Sequence, residues 1–150
     1  MTSVTGGRID LAQLAAVFHG LDQARIAAQA ARQAGAHLVL HSPADGVRIF
    51  GPLMFREMVD VLRREFPGLK VSSVLDCGGA SGRALTAIRA GVDGVRIDVA
   101  PDVRAKISAI AEAHAVRIAE EALPELDLGS VADPTAACRV ALGLDRGSAA

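Results

Sequence analysis

Apolar and polar positions along the chain alternate between two periods, and the changes of period mark the elements. The clearest strand is Val71 to Asp76 (VSSVLD), a short apolar run with Pro67-Gly68 before it and Gly78-Gly79 after it. Ala36 to His41 (AHLVLH) and Gly94 to Asp98 (GVRID) follow Gly35 and Gly91 in the same way, and Val116 to Ile118 is a weaker run after an evident helix. Leu14 to Phe18 (LAAVF) carries alanines that disfavour strands. The recurrence of runs near Val17, Val39, Val74, Val95 and Val116, with one long interval, nevertheless predicts a strand there.

Helical spacing fills the intervals. Phe55, Met58, Val59 and Leu62 recur on one face of Leu53 to Phe66, with Arg56, Glu57, Asp60 and Arg63 opposite and Pro52 at the start. Leu21 to Ala34 ends at Gly35, Gly82 to Ala90 ends at Gly91, and Pro101 opens a helix that runs to about His114. Thr135 to Leu142 reads as a last short helix, after a loop-like stretch from Ala119 to Pro134.

Strands alternating with helices predict an α/β fold with a mainly parallel sheet, because parallel neighbours need crossover connections. With about five strands, a small three-layer αβα sandwich of the doubly wound, flavodoxin-like kind is expected, and a partial (βα) barrel is the alternative. At 150 residues the chain is expected to form one domain, with residues 1–8 and 145–150 expected to fray.

Composition narrows the function classes. Hydrophobic residues make up 51%, yet no apolar run approaches the length of about 20 residues that a membrane-spanning helix needs. The apolar surplus belongs in a core or a subunit interface, so a homo-oligomer is expected. MTSVTGGRID has no basic segment leading into an apolar one, so no secretory or transit signal is read and a cytoplasmic location is expected. Lys and Arg number 16 against 17 Asp and Glu and are scattered singly; with no Trp or Tyr and four Phe, the footprint of a nucleic-acid or glycan binder is missing. Cys77 and Cys138 form no metal-ligand pair and are expected as reduced thiols.

In doubly wound sheets ligands sit beyond the carboxyl ends of the strands, where the winding reverses. Those ends collect the polar residues here: His19-Gly20, His41-Ser42-Pro43, Asp76-Cys77-Gly78-Gly79, Asp98 and Glu120. With the strand order of that fold, His19 would face the turn at Asp76 to Gly79. The stretch DCGGASGR runs from a strand through glycines into a helix whose free N–H groups suit an anion, with Ser81 and Arg83 as further donors. Asp76, Cys77, Gly78, Gly79, Ser81, Arg83 and Asp98 are therefore the ligand-binding candidates; the plainer reading is a tight turn with a capped helix. Cys77, ahead of a helix N-terminus, is a candidate nucleophile with His41 or His19 as its base, although such a Cys is more often a small buried residue. Asp76, Asp98 and Glu120 would hold Mg²⁺ if their strands are neighbours, but caps and surface charge account for them equally, and no metal site is assigned. Lys70 and Lys106 are the only lysines, and Lys70 lies at the wrong end of its strand for Schiff-base chemistry. The insertion Ser42 to Gly51 lengthens the loop after the second strand, and its apolar Ile49 and Phe50, with Leu53 and Met54, are expected at an interface.

From Val74 to Asp98 the chain resembles the first nucleotide-binding unit of S-adenosylmethionine-dependent methyltransferases, VLDCGGASG standing for their Asp-x-Gly-x-Gly-x-Gly loop and Asp98 for the acidic residue closing the next strand. The resemblance covers about a sixth of the chain, with Ala80 at the loop's middle glycine, and it implies Asp76, Gly78, Gly82 and Asp98 as cofactor contacts. The residues themselves identify no cofactor. Three functions stand at this point: a small-molecule domain with an anion site at the strand ends, a non-catalytic oligomeric scaffold, and a partial methyltransferase-like unit.

Overall fold

A computed structural model describes residues 12–145. The chain runs β1 (Gln13–Val17), α1 (Leu21–Ala34), β2 (His37–His41), α2 (Gly46–Phe50), α3 (Pro52–Glu65), β3 (Val71–Gly78), α4 (Ser81–Ala90), β4 (Gly94–Ile97), α5 (Pro101–Ala113), β5 (Arg117–Ile118) and α6 (Pro134–Ala141). Local chemistry sets the boundaries. Gly35 and Gly91 close α1 and α4 in the left-handed region, at φ 65° and 83°. Pro52, Pro101 and Pro134 stand in the first turns of α3, α5 and α6, where a missing N–H costs nothing. Among the elements expected from the sequence, the segment at Leu14 to Phe18 is a strand, while the insertion at Ser42 to Gly51 folds in part into the short α2.

All five strands are parallel and form one sheet, so the α/β class and the single parallel sheet stand as expected. Their order is β1-β2-β3-β4-β5. The strand exchange of a flavodoxin-like order does not occur, and this sequential order is the one a partial (βα) barrel has. Each crossover steps to the next strand in the same direction, and the helices stand in one row: α1 packs against α6 and α3, α3 against α4, and α4 against α5.

Side chains alternate across the pleat and so divide the sheet into two faces. Leu14, Ala16, Leu38, Leu40, Leu75, Cys77, Val95 and Ile97 join the helices in the main core. The alanines of α1, among them Ala24, Ala27, Ala28 and Ala31, are buried there and let that helix lie close on the sheet. Phe18, Phe50 and Phe55, with ring centroids 5.7 to 6.0 Å apart, tie α2 and α3 to the end of β1. Val17, Val39 and Val74 lie on the other face, outside that cluster, and are still buried, so the sheet curls around them.

After β5 the chain crosses the mouth of this curl and returns to the free edge of β1. Val17 N–H donates to Leu126 O (2.8 Å) and Leu128 N–H to Val17 O (2.9 Å), a parallel bridge at Asp127. Leu128 and Cys138 are buried there, and α6 covers α1. Asp145, expected to fray, is held by two bonds from Arg139 at 2.8 and 3.1 Å. Residues 1–8 and 146–150, the remainder of the expected fray, lie outside the described residues.

Candidate functional site

Parallel strands deliver their carboxyl ends to one rim, and the inward-facing residue near the end of each central strand is polar. His41 closes β2 in register with Val17 and Val74, and Asp76 and Arg96 pair with each other one step further along β3 and β4. The Arg96 guanidinium links them: Nη1 donates to Asp76 Oδ2 (3.2 Å), Nη2 to His41 Nδ1 (2.9 Å) and Nε to the carbonyl of Glu121 (3.2 Å) in the returning segment. Asp76 Oδ1 accepts from the N–H groups of Asp45 (3.1 Å) and Gly78 (3.0 Å), and Asp76 N–H donates to Ser42 Oγ (2.9 Å). His41, Ser42 and Asp76 are buried. Burial first, then the charge of Arg96, lowers the His41 pKa to about 4. The ring is therefore neutral at physiological pH, and accepting at Nδ1 leaves its proton on Nε2. Hydrogen bonding to Arg117 lowers the Glu121 pKa to about 2.

The glycine-rich turn differs from its sequence reading. Gly78 has φ 52°, and a Cβ there would collide with the carboxylate of Asp45, which reaches over from the loop after β2. Asp45 and Asp76 both face the turn, so its immediate surroundings are negative and oppose an anion at Gly78 and Gly79. The same two carboxylates add to burial in raising the Cys77 pKa to about 12. Cys77 points into the helix-side core while His41 faces inward on the opposite side of the sheet, so the expected thiolate with a histidine base is corrected to an inert, buried thiol. Ser81 opens α4 without a side-chain cap bond, Ala80 being the cap residue, and neither Asp76 nor Ser81 caps that helix. Asp98 is exposed; its N–H donates to Gly78 O (2.8 Å) and its own carbonyl lies beside Gly79.

His19 is also placed differently. With β2 between β1 and β3, it does not face the Asp76 to Gly79 turn; its Nε2 pairs with Asp127 Oδ1 (2.7 Å), and its ring fills the space beside Gly129. Glu120 accepts both its bonds from Arg104 (2.7 Å each), and Asp76 is held by Arg96, so these acids and Asp98 do not converge. No cluster of three metal-ligating side chains occurs among the described residues.

Arg83 leaves the turn altogether. It projects from the first turn of α4 into a cleft of about 380 Å³ between α4 and the α2–α3 junction, which Arg48, Ile49, Phe50, Gly51, Pro52 and Thr86 help to line. Arg96 and Arg104 on the same rim are engaged by Asp76 and Glu120, whereas Arg48 and Arg83 have no carboxylate partner among the described residues. Pro52, which carries no N–H, opens α3 at the wall of the cleft, and Gly51, its cap residue, supplies no side-chain cap bond. Arg48 and Arg96 were not among the sequence candidates; each is one scattered arginine among many, and only the fold gives it company.

No helix among the described residues is long and apolar enough to cross a membrane. No known protein family matches this chain, and no curated protein does.

Proposed function

We propose that this protein binds a small molecule carrying a phosphate-like anionic group at the carboxyl-end rim of its sheet, in the cleft between α4 and the α2–α3 junction. The observation that carries this reading is the pair Arg48 and Arg83, two uncompensated guanidinium groups lining one cleft. Guanidinium is always charged and offers forked donors to oxyanions. An anion in the cleft would be attracted by both. The anion expected from the sequence at the glycine turn thus moves one helix face away, keeping Arg83 and losing the turn that Asp45 occupies. The His41, Asp76 and Arg96 network is the support behind the site: it pins the loop carrying Asp45, and hence α2 and Arg48, to β3. A nucleotide reading of the Asp76 to Asp98 unit would need the space over Gly78, which that same carboxylate fills.

Thermal unfolding of the full chain with inorganic phosphate, phosphate monoesters and matched chloride tests the reading. Phosphate compounds at a hundredfold excess over Kd raise the midpoint by roughly 5 °C or more, and Arg48→Gln with Arg83→Gln abolishes the rise. No stabilisation by any anion, or a rise indifferent to both substitutions, overturns it.

A second reading, an oligomeric scaffold, is favoured by one observation. Ile49, Leu53 and Met54 expose 64%, 70% and 59% of their surfaces side by side on α2 and α3. On that reading the same face is covered by another subunit and no anion stabilises the chain.

A further inference from the structure

An anion site accounts for the arginines and leaves the apolar ridge beside them unused. Ile49 lines the cleft together with Arg48 and Arg83, and Leu53 and Met54 follow Pro52, another of its walls, directly in the chain. Beyond that ridge a groove of about 680 Å³ runs along α3, floored by Leu21, Leu53, Met54, Met58 and Val61. Its polar border is already paired within the chain. Arg56 Nε meets Asp60 (3.4 Å) and Arg56 Nη1 donates to the carbonyl of Ala90 (3.0 Å), while Glu57 faces Arg64 (3.7 Å). The cleft, which ends at Pro52, therefore holds two arginines without a carboxylate partner among the described residues, and the groove, which begins at Leu53, is an apolar trough bordered by ion-paired side chains.

Building on the anion reading, we propose that the ligand is a single-chain amphipathic anion, with an oxyanion head between Arg48 and Arg83 and an alkyl or isoprenoid-like chain lying across Ile49, Leu53 and Met54 into the α3 groove. Both halves of the surface are then satisfied by one molecule. A second copy of this chain accounts for the exposed apolar residues alone, whereas one amphipathic anion accounts for them and for both arginines. The thioethers of Met54 and Met58 are flexible and polarisable, suited to a chain without fixed shape. Each methylene buried in the groove strengthens binding by about fourfold at full burial.

Calorimetric titration of the full chain with inorganic phosphate and with butyl, hexyl and octyl phosphate, below their micelle-forming concentrations, tests this. Affinity rises with each methylene in the wild type. Leu53→Ser with Met54→Ser, both at exposed positions and checked for an unchanged unfolding midpoint, flattens the series to within about twofold while inorganic phosphate binds as before. Arg48→Gln with Arg83→Gln weakens every member at least about tenfold. Phosphate binding that is indifferent to chain length overturns this inference and leaves the anion site standing; no binding by any member removes both. Two further outcomes overturn it: a dimer that Leu53→Ser dissociates, with no alkyl phosphate binding, gives the face to a second copy, and binding to anionic vesicles but not to monomeric alkyl phosphates gives it to a membrane surface.

Discussion

Arg96 donates to a carboxylate, an imidazole nitrogen and a main-chain carbonyl from one guanidinium, and removing any partner strands a buried polar group. The consequence that can be measured lies at His41. Its pKa is about 4 in the folded chain and ordinarily 6.5, so between those values the unfolded chain takes up a proton that the folded one refuses. Stability is therefore complete above pH 6.5 and falls as pH drops toward 4, by up to about 3 kcal/mol. His37 is also lowered, by burial first and then by Lys70, and titrates in the same direction, so urea unfolding is compared in a His37→Gln background. Glu121, depressed to about 2, loses its contribution only as pH falls below its ordinary 4.5, which leaves pH 5 to 7 to His41. His41→Gln flattens the profile in that interval; an equal slope in both proteins would show that the ring is not held neutral. The sequence displays His41 and Asp76 as polar residues ending strands, and that much is legible. Alternation says that Asp76 and Cys77 face opposite sides but not which of them faces inward, and it is Cys77 that the helices bury. Arg96 stays hidden because its partners stand 20 and 55 positions away along the chain.

Elements with their own punctuation were readable, and the one without it was not. Glycine at the ends of α1 and α4 and proline in the first turns of α3, α5 and α6 are local instructions that no tertiary contact overrides. The stretch between β5 and α6 has no helical or strand period, and its strand-like segment exists only because β1 has a free edge for it to bind. Leu128 anchors that segment in the core and is 1% exposed, whereas the His19–Asp127 pair above it is 40% and 37% exposed. The hydrophobic contact should therefore dominate. Leu128→Ala costs about 3 kcal/mol of unfolding free energy, and Asp127→Ala less than about 1 kcal/mol, as read from paired urea denaturation curves. If Asp127→Ala proved the costlier change, the segment would be held by its turn and not by its buried leucine.

For the whole molecule, strand order is the property that local patterns leave open. Every central strand is an apolar run between glycine or proline signals, and right-handed crossovers permit winding in one direction or a reversal after the first strand. Count alone favoured the reversal, which would have left β2 at an edge. In the sequential order β2 lies between β1 and β3, and Leu38 and Ser42 donate to Lys70 O (2.9 Å) and Val74 O (3.0 Å). The short β5 is the exposed margin instead, with Arg117 and Ala119 donating to Asp93 O (3.0 Å) and Val95 O (2.8 Å). Native-state hydrogen exchange distinguishes these arrangements because interior strands open only with global unfolding, while margins open locally. Amides of Leu38 and Ser42 should exchange with the free energy of global unfolding, and those of Arg117 and Ala119 at least about tenfold faster. The order also decides where a ligand can sit. A reversal would put a crevice between β1 and β3, whereas sequential winding sets α4 beside α3 and makes the gap at their N-terminal ends the cleft that Arg83 and Arg48 both line. Edge-like exchange of the β2 amides would therefore undo both the topology and the position of the proposed anion cleft.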